Sequence, residues 1–366
     1  MTEEKILLNN KHKVVVGMSG GVDSAVAAWL LKNQGFDTVG VTLRTWESGS
    51  NRCCEIDEAR RSAQKLGIPY YPWNAVKEFR EYVTKPFAAE YVAGRTPNPC
   101  VECNRYVKWD MLLHIADVLQ ADYVASGHYA SVVRADNGRL AIRRATDTRK
   151  DQSYMLCRLT QEQLARTILP LGELTKQQVR QIAADTGIVV ADKAESQEIC
   201  FVTEGNYADY IEQECGAKIF AAGNFTDETG KIVGRHKGIA CYTVGQRKGL
   251  GLALGYPVYV KRIDAAKNEI IVGREASLYT DEIFCGSLSF MGIADLAIGE
   301  KIAALVKIRY AHGGEHAVVE RLNQETARIV FAEAVRAPAP GQSAVFYDET
   351  GSIIGSGKIL TAGFSR

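Results

Sequence analysis

The stretch Val14-Val15-Val16-Gly17-Met18-Ser19-Gly20-Gly21-Val22-Asp23-Ser24 decides the fold of this chain. Its β-branched residues predict a short buried strand, and the apolar run after Ser24 predicts a helix that ends near Gly35. A strand, a glycine-rich turn and a helix start together form an anion site, because free backbone N–H groups and the helix dipole face the turn. Ser19 and Ser24 add hydroxyl donors, and the Asp23 carboxylate is a ligand type that magnesium accepts.

The amino-acid sequence of this turn excludes two common types of nucleotide-binding loop. A Walker A loop ends in Gly-Lys-Ser/Thr, whereas this turn ends in Val22-Asp23-Ser24 and contains no lysine. The dinucleotide fingerprint G-x-G-x-x-G is also absent, since Met18 and Ser19 follow Gly17. Ser-Gly-Gly-x-Asp-Ser instead resembles the pyrophosphate loop of the N-type ATP pyrophosphatases. These enzymes split ATP between its α- and β-phosphates.

Size and composition indicate a globular protein of several domains. The chain has 366 residues, of which 46% are hydrophobic and 24% charged, and its net charge is +1. Such a length favours two or three domains. We find no signal peptide and no run of membrane-spanning length, so we expect a cytoplasmic protein without a membrane contact. Nine cysteines in such a protein indicate thiol chemistry or metal binding rather than a disulfide framework.

Strands and helices alternate through the first third of the chain. After the first strand, the pattern predicts strands at Asp37–Leu43, from Ile68 and at Ala121–Ser126, with a helix at Glu55–Leu66. This alternation predicts an α/β fold with a doubly wound parallel sheet. Ligands of such sheets bind at the carboxyl ends of the strands. The loop at residues 17–24, Leu43 and the segment after Ser126 would therefore border one crevice.

The remainder of the chain predicts further domains. A hairpin with a turn near residues 136–138 spans Ser131–Arg144, and helical signals follow from Thr160 to Ala184. From about residue 206 the composition shifts to glycine-rich short strands, and from about 281 short alternating runs predict a small β-barrel. We therefore predict a catalytic domain at 1–205, a small central domain at 206–280 and a barrel domain at 281–366.

Two cysteine segments carry candidate chemistry. Prolines and Asn98 hold an extended loop before Cys103, and a helix is predicted from Arg105 to Leu119. A thiol at a helix N-terminus is expected to have a lowered pKa. Cys100 and Cys103 also form a Cys-x-x-Cys pair, which half of a zinc site would contain, although no second pair completes it. Cys200 lies in a separate segment and would by itself pass for a small apolar residue.

Several motifs occur in an order that identifies a family. They are the pyrophosphate loop, Thr96-Pro97-Asn98-Pro99 with Cys103-Asn104, Ser126-Gly127-His128-Tyr129-Ala130, Lys150-Asp151-Gln152-Ser153-Tyr154, Ser196-Gln197-Glu198-Ile199-Cys200-Phe201 and Pro340-Gly341-Gln342-Ser343. Together they resemble the tRNA-specific 2-thiouridylase family over essentially the whole chain. That resemblance implies a pyrophosphatase domain, a small central domain and a C-terminal β-barrel. It also implies thiolation of the wobble uridine in tRNAs for Lys, Glu and Gln.

The resemblance also assigns roles to residues of this chain. Cys103 takes the place of the nucleophile and Cys200 that of the cysteine that carries a persulfide supplied by a sulfur-donor protein. The positions that would bind ATP, with Mg²⁺ as its counter-ion, are Gly17, Met18, Ser19, Gly20, Gly21, Val22, Asp23, Ser24, Leu43 and Gly127. The positions that would contact tRNA, the first three around the target base, are Asn98, Pro99, Cys100, His128, Lys150, Asp151, Gln152, Arg309, Tyr310 and Gln342.

Thiolation of uridine requires both an ATP site and two thiols. The C2 oxygen of uracil is a poor leaving group, so its adenylation would turn it into AMP before sulfur attacks. Sulfur would then attack C2 either from the Cys200 persulfide or as sulfide released when Cys103 forms a disulfide with Cys200. One thiol would thus deliver the sulfur and another would resolve the intermediate. Members of the family commonly carry aspartate where this chain has Cys100. Cys100, Cys103 and Cys200 would together supply three thiolates, which leaves an iron–sulfur cluster as an alternative to the metal-free persulfide route, although the resemblance favours the latter.

Two basic stretches indicate contact with nucleic-acid phosphates. Residues 134–158 contain seven Lys or Arg against three Asp, and residues 231–262 contain seven Lys or Arg and no Asp or Glu. Tyr242, Tyr256 and Tyr259 lie within the second stretch, either in the core or available for stacking on bases.

Two other functions fit part of the sequence. An ATP pyrophosphatase that transfers nitrogen would use the same loop, but it would leave Cys103 and Cys200 without a role. A non-catalytic RNA-binding protein that senses nucleotide or redox state would use the same surfaces without turnover. Release of AMP that depends on tRNA separates the sulfurtransferase from this sensor.

Overall fold

The computed structural model describes residues 12–46, 53–188, 199–202, 207–215 and 221–362. Its helices are α1 Val22–Asn33, α2 Cys53–Leu66, α3 Val76–Phe79, α4 Lys85–Val92, α5 Pro99–Glu102, α6 Asp110–Val118, α7 Gln161–Ala165, α8 Lys176–Asp185 and α9 Tyr207–Cys215. Two π-helical segments, Arg80–Thr84 and Cys103–Trp109, join α3 to α4 and α5 to α6. Short 3₁₀ turns lie at Ser153–Leu156, Ile239–Cys241 and Glu275–Leu278.

The strands belong to four sheets. They are β1 Lys13–Gly17, β2 Asp37–Arg44, β3 Tyr70–Asn74, β4 Tyr123–Ser126, β5 Ala130–Arg134, β6 Leu140–Arg144, β7 Thr167–Ile168, β8 Gly223–Thr226, β9 Ile232–His236, β10 Tyr259–Asp264, β11 Glu269–Gly273, β12 Tyr279–Phe290, β13 Lys301–Lys307, β14 Glu315–Arg321, β15 Ala327–Arg336, β16 Ser343–Tyr347 and β17 Ile353–Ala362.

The first sheet is parallel and has the order β3-β2-β1-β4-β7. Val14 and Val16 of β1 pack against α1, α2 and α8 on one face, whereas Val15 packs against α6 on the other. Alternate residues of a strand point to opposite faces, so a run of consecutive valines suits a strand that is covered on both sides. The predicted doubly wound α/β fold is confirmed.

The register of this sheet brings the ends of its central strands together. Gly17, the last residue of β1, pairs with Val41 on β2 and with Ser126 at the end of β4. The loop at residues 17–24, which we call the phosphate loop, therefore lies at the same edge as Leu43 and Gly127, as the strand pattern predicted.

The other sheets form the rest of the molecule. The hairpin β5–β6 is antiparallel, as predicted, and the core beneath it continues into the barrel through Tyr347 and Ile353. A sheet of order β10-β11-β8-β9 builds the central part. The last strands close into a barrel of order β12-β15-β14-β13-β16-β17, which confirms the predicted barrel. The boundaries near residues 205 and 280 stay predictions.

Within the described ranges, no helix has both the length and the apolar character that a membrane span requires.

Candidate functional site

The phosphate loop is held open by hydrogen bonds of its own serines. The Ser24 hydroxyl donates to the Gly21 carbonyl at 3.0 Å and accepts from the Ser19 backbone N–H at 3.1 Å. Gly20 has a φ of +80°, which favours glycine. A Cβ at Gly127 would lie 2.7 Å from the Asp23 carbonyl carbon, so the β4 end requires glycine to approach the loop this closely. The loop therefore presents the start of α1 to an anion.

Asp23 has a partner that the sequence did not indicate. Lys176 Nζ lies 2.7 Å from each carboxylate oxygen of Asp23, and the Tyr129 hydroxyl donates to the same carboxylate at 2.8 Å. Lys176 is the first residue of α8, which Thr175 caps. The loop itself contains no lysine, but the fold supplies one. Lys176 thus supplies a positive charge at this loop in addition to the Mg²⁺ that we expect with ATP.

Asp23 still fits a metal that arrives with ATP. Magnesium usually takes one or two protein carboxylates and completes its shell with substrate phosphates and water. Among the described residues, no three Cys, His, Asp or Glu side chains converge as a ready metal site. Asp23 therefore suits Mg²⁺ bound to ATP phosphates, once Lys176 gives up part of its contact with the carboxylate.

The helix that carries the thiols begins earlier than the sequence predicted. Pro99 is its first residue, and the Asn98 side chain accepts a hydrogen bond from the Cys100 N–H at 3.2 Å as its cap. The segment Pro99–Val118 is continuously helical through its π-helical part. Cys103 consequently lies in the second turn of the helix and not just before it. At that position the dipole of the helix end has little effect.

Burial has the opposite effect on Cys103 from the one predicted. The side chain is 8% exposed and packs with Phe79, Val83 and Phe201. Desolvation raises the pKa of Cys103 to about 12, although the nearby Lys108 ammonium lowers it in part. The prediction of a lowered pKa at Cys103 is therefore wrong for this conformation. Burial likewise raises the pKa of Cys100.

The three candidate thiols share one neighbourhood. Cys200 is exposed, and its charge raises the pKa of both Cys100 and Cys103, so all three lie within electrostatic range. The neighbouring Phe201 ring packs 5.6 Å from Phe79 and 5.1 Å from Phe87, which anchors the segment that carries Cys200. The motif residues at 196–198 lie outside the described residues.

Lys108 is a second residue that the sequence analysis missed. It follows Cys100 and Asn104 at helical spacing, i, i+4 and i+8, which places the three on one face. Its ammonium opposes the desolvation that raises the pKa of Cys100 and Cys103, and it adds to the desolvation that lowers the pKa of His128. This spacing was the available signal. Lys108 thus connects the thiols with the strand end that borders the phosphate loop.

The predicted tRNA residues near the hairpin hold the scaffold. Desolvation lowers the pKa of His128 to about 3, and its Nδ1 lies 2.8 Å from the Ser126 hydroxyl, so the ring is neutral at neutral pH. Asp151 accepts hydrogen bonds from the backbone N–H groups of Ala145 and Ser153, and Gln152 accepts one from the Tyr129 N–H. A contact of these residues with tRNA stays a prediction.

The predicted tRNA-contacting residues of the barrel lie at two separate places. Gln342 Nε2 donates to the carbonyls of Thr96 and Pro97, at 2.9 and 3.2 Å, so the barrel fastens the loop before Cys100. Arg309 donates to the Arg336 carbonyl at 2.9 Å, and the Tyr310 side chain is 40% exposed. Their contact with tRNA also stays a prediction.

Part of the second basic stretch forms an exposed surface. Tyr242 and Tyr259 are buried and belong to the core, whereas Tyr256 is exposed beneath the Arg274 guanidinium at 4.6 Å. Lys261 pairs with Glu228 at 2.6 Å, so an acid from outside the stretch neutralises it. Six of its cations are exposed: Lys231, Arg235, Lys237, Arg247, Lys248 and Arg262, the last of which lies 3.6 Å from Asp264.

Comparison with known proteins agrees with this arrangement. Family models match the chain in succession: a tRNA methyl transferase HUP domain at residues 12–204, a tRNA methyl transferase PRC-barrel domain at 208–274 and an aminomethyltransferase β-barrel domain at 276–359. The tRNA-specific 2-thiouridylase MnmA of Lachnoclostridium phytofermentans is 47% identical over 358 residues, which cover 95% of this chain and 99% of that protein.

A second relative and one solved structure complete the comparison. The tRNA-specific 2-thiouridylase MnmA of Carboxydothermus hydrogenoformans is 45% identical over 362 residues, covering 95% of this chain and 98% of that protein. The NMN synthetase from Francisella tularensis is 20% identical, with a TM-score of 0.35, and covers 58% of this chain and 80% of that structure.

Proposed function

This chain belongs to the tRNA-specific 2-thiouridylase family, and we propose that it uses ATP to replace the C2 oxygen of the wobble uridine in tRNA with sulfur. The observation that carries the proposal is that the nucleotide edge of the sheet packs against the helix that carries the thiols. Leu43, at that edge, packs with the cluster that contains Cys103, and the Trp109 ring of the same helix lies 5.6 Å from the His128 ring. Adenylation and sulfur transfer at one carbon atom require this proximity of nucleotide edge and thiols.

The phosphate loop, Leu43 and Gly127 bind ATP in this proposal. The uracil C2 oxygen attacks the α-phosphorus, and diphosphate leaves toward the start of α1, where the backbone N–H groups point. Lys176 neutralises Asp23 in the free protein and faces the diphosphate when ATP is bound. Asp23 would hold Mg²⁺ together with the phosphates, and the ion would supply further neutralisation of charge.

The thiols then deliver sulfur. The outer sulfur of a Cys200 persulfide attacks C2, and the adenylated oxygen leaves as AMP. Cys103 attacks the inner sulfur of Cys200, and the electron pair of the broken S–S bond forms the C=S bond of 2-thiouridine. The thiol protons of the persulfide and of Cys103 go to solvent, and a cellular reductant reopens the resulting Cys103–Cys200 disulfide. The exposed position of Cys200 suits its loading by a sulfur-donor protein.

The buried position of Cys103 sets the order of the sulfur-transfer steps. A thiol with a pKa of about 12 is protonated at neutral pH and attacks slowly. We propose that Cys103 becomes reactive only after the target base has entered beside Asn98 and Pro99. Such an order protects the persulfide from premature resolution.

Cys100 distinguishes the persulfide route from an iron–sulfur route. If the route is metal-free, Cys100→Asp keeps most of the activity, whereas Cys103→Asp keeps none. Protein purified without oxygen that contains stoichiometric iron, and that loses both iron and activity in Cys100→Asp, would establish the cluster instead.

The tRNAs for Lys, Glu and Gln are the proposed substrates, and the cytoplasm is the proposed location. Mass spectrometry of tRNA nucleosides from cells that lack the gene is the direct test. We expect the loss of 2-thiouridine derivatives and their return with the wild-type gene, but not with Cys103→Ser or Cys200→Ser. Unchanged 2-thiouridine in the deletion strain would contradict the proposal.

A further inference from the structure

Two cations, one buried and one partly buried, lie where the β5–β6 hairpin meets the barrel. Lys307 ends β13 and Arg144 ends β6, and the backbone N–H of Arg144 donates to the Gly351 carbonyl at 2.9 Å. We call Lys307 and Arg144 the junction pair. Desolvation lowers the pKa of Lys307, and the like charge of Arg144 lowers it further.

Lys307 is nine-tenths buried, with 9% of its surface exposed. Its ammonium lies 6.0 Å from the centre of the Tyr154 ring and 5.8 Å from that of Tyr310. Aromatic faces attract a cation but accept no full hydrogen bond from it. Within the described part of the chain, the ammonium has neither a hydrogen-bond acceptor nor an ion-pair partner. Desolvation accordingly lowers its pKa.

Arg144 has the same deficiency. Its guanidinium stacks 4.2 Å above the Tyr347 ring, which covers its face but leaves the N–H groups in its plane unsatisfied. Nε and Nη2 are both buried, and neither finds an acceptor among the described residues. Buried guanidinium N–H groups without acceptors are rare in proteins and are costly for stability.

The nearest carboxylate does not compensate for both cations. Asp151 acts on Lys307 electrostatically, but its oxygens accept hydrogen bonds from the Ala145 N–H, the Ser153 N–H and the Ser153 hydroxyl. The Asp151 carboxylate is thus already engaged by neutral donors. The junction carries an excess positive charge together with unused donors, which is the chemistry of an anion site.

We propose that the junction pair binds a phosphate group of the tRNA backbone. This inference rests on the proposed function, because that function supplies the RNA. The site lies between two segments from distant parts of the chain that we expect to contact tRNA, Lys150–Gln152 and Arg309–Tyr310. The rings of Tyr154 and Tyr310, 6.2 Å apart, join these segments. A phosphate here would hold the hairpin and the barrel against the same RNA.

The test compares Lys307→Met and Arg144→Gln with Lys301→Met. Lys301 lies on the same strand, but its side chain is 58% exposed and pairs with Glu320. Fluorescence anisotropy measures the Kd for a labelled tRNA over a range of salt concentrations. We expect each junction variant to bind about tenfold more weakly and to reduce the slope of log affinity against log salt by about 1. Lys301→Met should leave both unchanged.

The thermal stability of the free protein separates binding from a structural role. Removal of an uncompensated buried cation should leave the Tm unchanged or raise it, whereas removal of a structural contact should lower it. A lower Tm together with an unchanged salt slope in both junction variants would overturn the proposal. Arg144→Gln keeps the inference testable if Lys307→Met fails to fold.

Inorganic sulfate provides an arm that does not depend on RNA. At constant ionic strength, replacing chloride by sulfate should raise the Tm of the wild type by more than that of the junction variants. An equal rise in all proteins, with equal tRNA affinities, would count against the site. The remaining outcome is a protein that binds no tRNA but whose Tm sulfate raises in the wild type alone. This result would reject the proposed function and overturn the assignment of the site to RNA. It would instead support a site for free phosphate.

Discussion

Replacement of Lys176 by methionine tests how the phosphate loop manages its charge. Lys176 Nζ lies 2.7 Å from the Asp23 carboxylate, and the two side chains are 11% and 32% exposed. Two opposite charges 4 Å apart attract by roughly 4 kcal/mol at an effective dielectric constant of about 20. Partial exposure of Asp23 reduces this value. Because Asp23 keeps the Tyr129 hydroxyl, we expect Lys176→Met to lower the free energy of unfolding by about 1–3 kcal/mol.

The effect on catalysis should be larger than the effect on stability. Loss of a fixed donor that faces developing charge in a buried site costs about 3–4 kcal/mol in the transition state. Lys176→Met should therefore lower kcat/KM for AMP formation by roughly 10²–10³-fold. Lys176→Arg keeps the charge, so it should recover part of the loss.

The assay follows AMP release from labelled ATP with saturating tRNA, and ATP binding without tRNA by calorimetry. Lys261→Met is the control, since Lys261 is 19% exposed and pairs with Glu228 at 2.6 Å, and its strand β10 belongs to the central sheet and not to the sheet that carries the loop. It should lose comparable stability and leave ATP binding unchanged. A Lys176→Met enzyme whose kcat/KM remains within about threefold of the wild type would refute the assignment of Lys176 to the diphosphate.

Three further predictions concern the thiols and the RNA surface. With a pKa of about 12, less than about one in 10⁴ Cys103 thiols is ionised at pH 7.5. Peptide mapping should therefore show that iodoacetamide modifies Cys200 before Cys103. Equal rates at the two cysteines would show that Cys103 is not shielded. Because the pKa of His128 is lowered to about 3, the ring is neutral above pH 5. His128→Gln should therefore leave the salt dependence of tRNA binding unchanged. A slope of log affinity against log salt reduced by about 1 would reveal a charged contact. The double variant Lys237→Ala and Arg247→Ala removes two exposed cations and should reduce the slope of log affinity against log salt by up to about 2. A slope identical to that of the wild type would show that these cations do not contact tRNA phosphates.

The desolvation of His128 also predicts a pH dependence of stability. The unfolded ring binds a proton below its ordinary pKa near 6.5, whereas the folded ring binds one only near 3. The unfolded state therefore holds more protons in this window, and the stability is lost as the pH falls from about 6.5 toward 3, by up to about 1.4 kcal/mol per pH unit. Thermal melts of wild type and His128→Gln between pH 7 and 5 should differ in slope. Parallel curves would contradict the lowered pKa.

Local patterns in the sequence determined the architecture of this protein. The valine run, the glycine turn and the apolar helix after it define a strand–loop–helix unit from neighbouring residues alone, and repetition of strand and helix defines the parallel sheet. Since strand ends in such a sheet meet at one edge, even the proximity of the loop at 17–24 to Gly127 followed from the pattern. The hairpin and the barrel were likewise predictable, because turn residues and alternation are local signals.

Tertiary structure alone decided the electrostatics of the site. Lys176 and Asp23 are 153 positions apart, and no local pattern connects a helix start with a distant phosphate loop. The pKa of Cys103 depends on which apolar side chains exclude water from it, and Phe79 and Phe201 reach it from remote segments. The same holds for Lys307 and Arg144, because Lys307 lies in an apolar strand pattern and Arg144 in a basic stretch, and neither pattern indicates that the two meet. Desolvation and charge pairing are properties of the space around a group, and packing of distant segments creates that space.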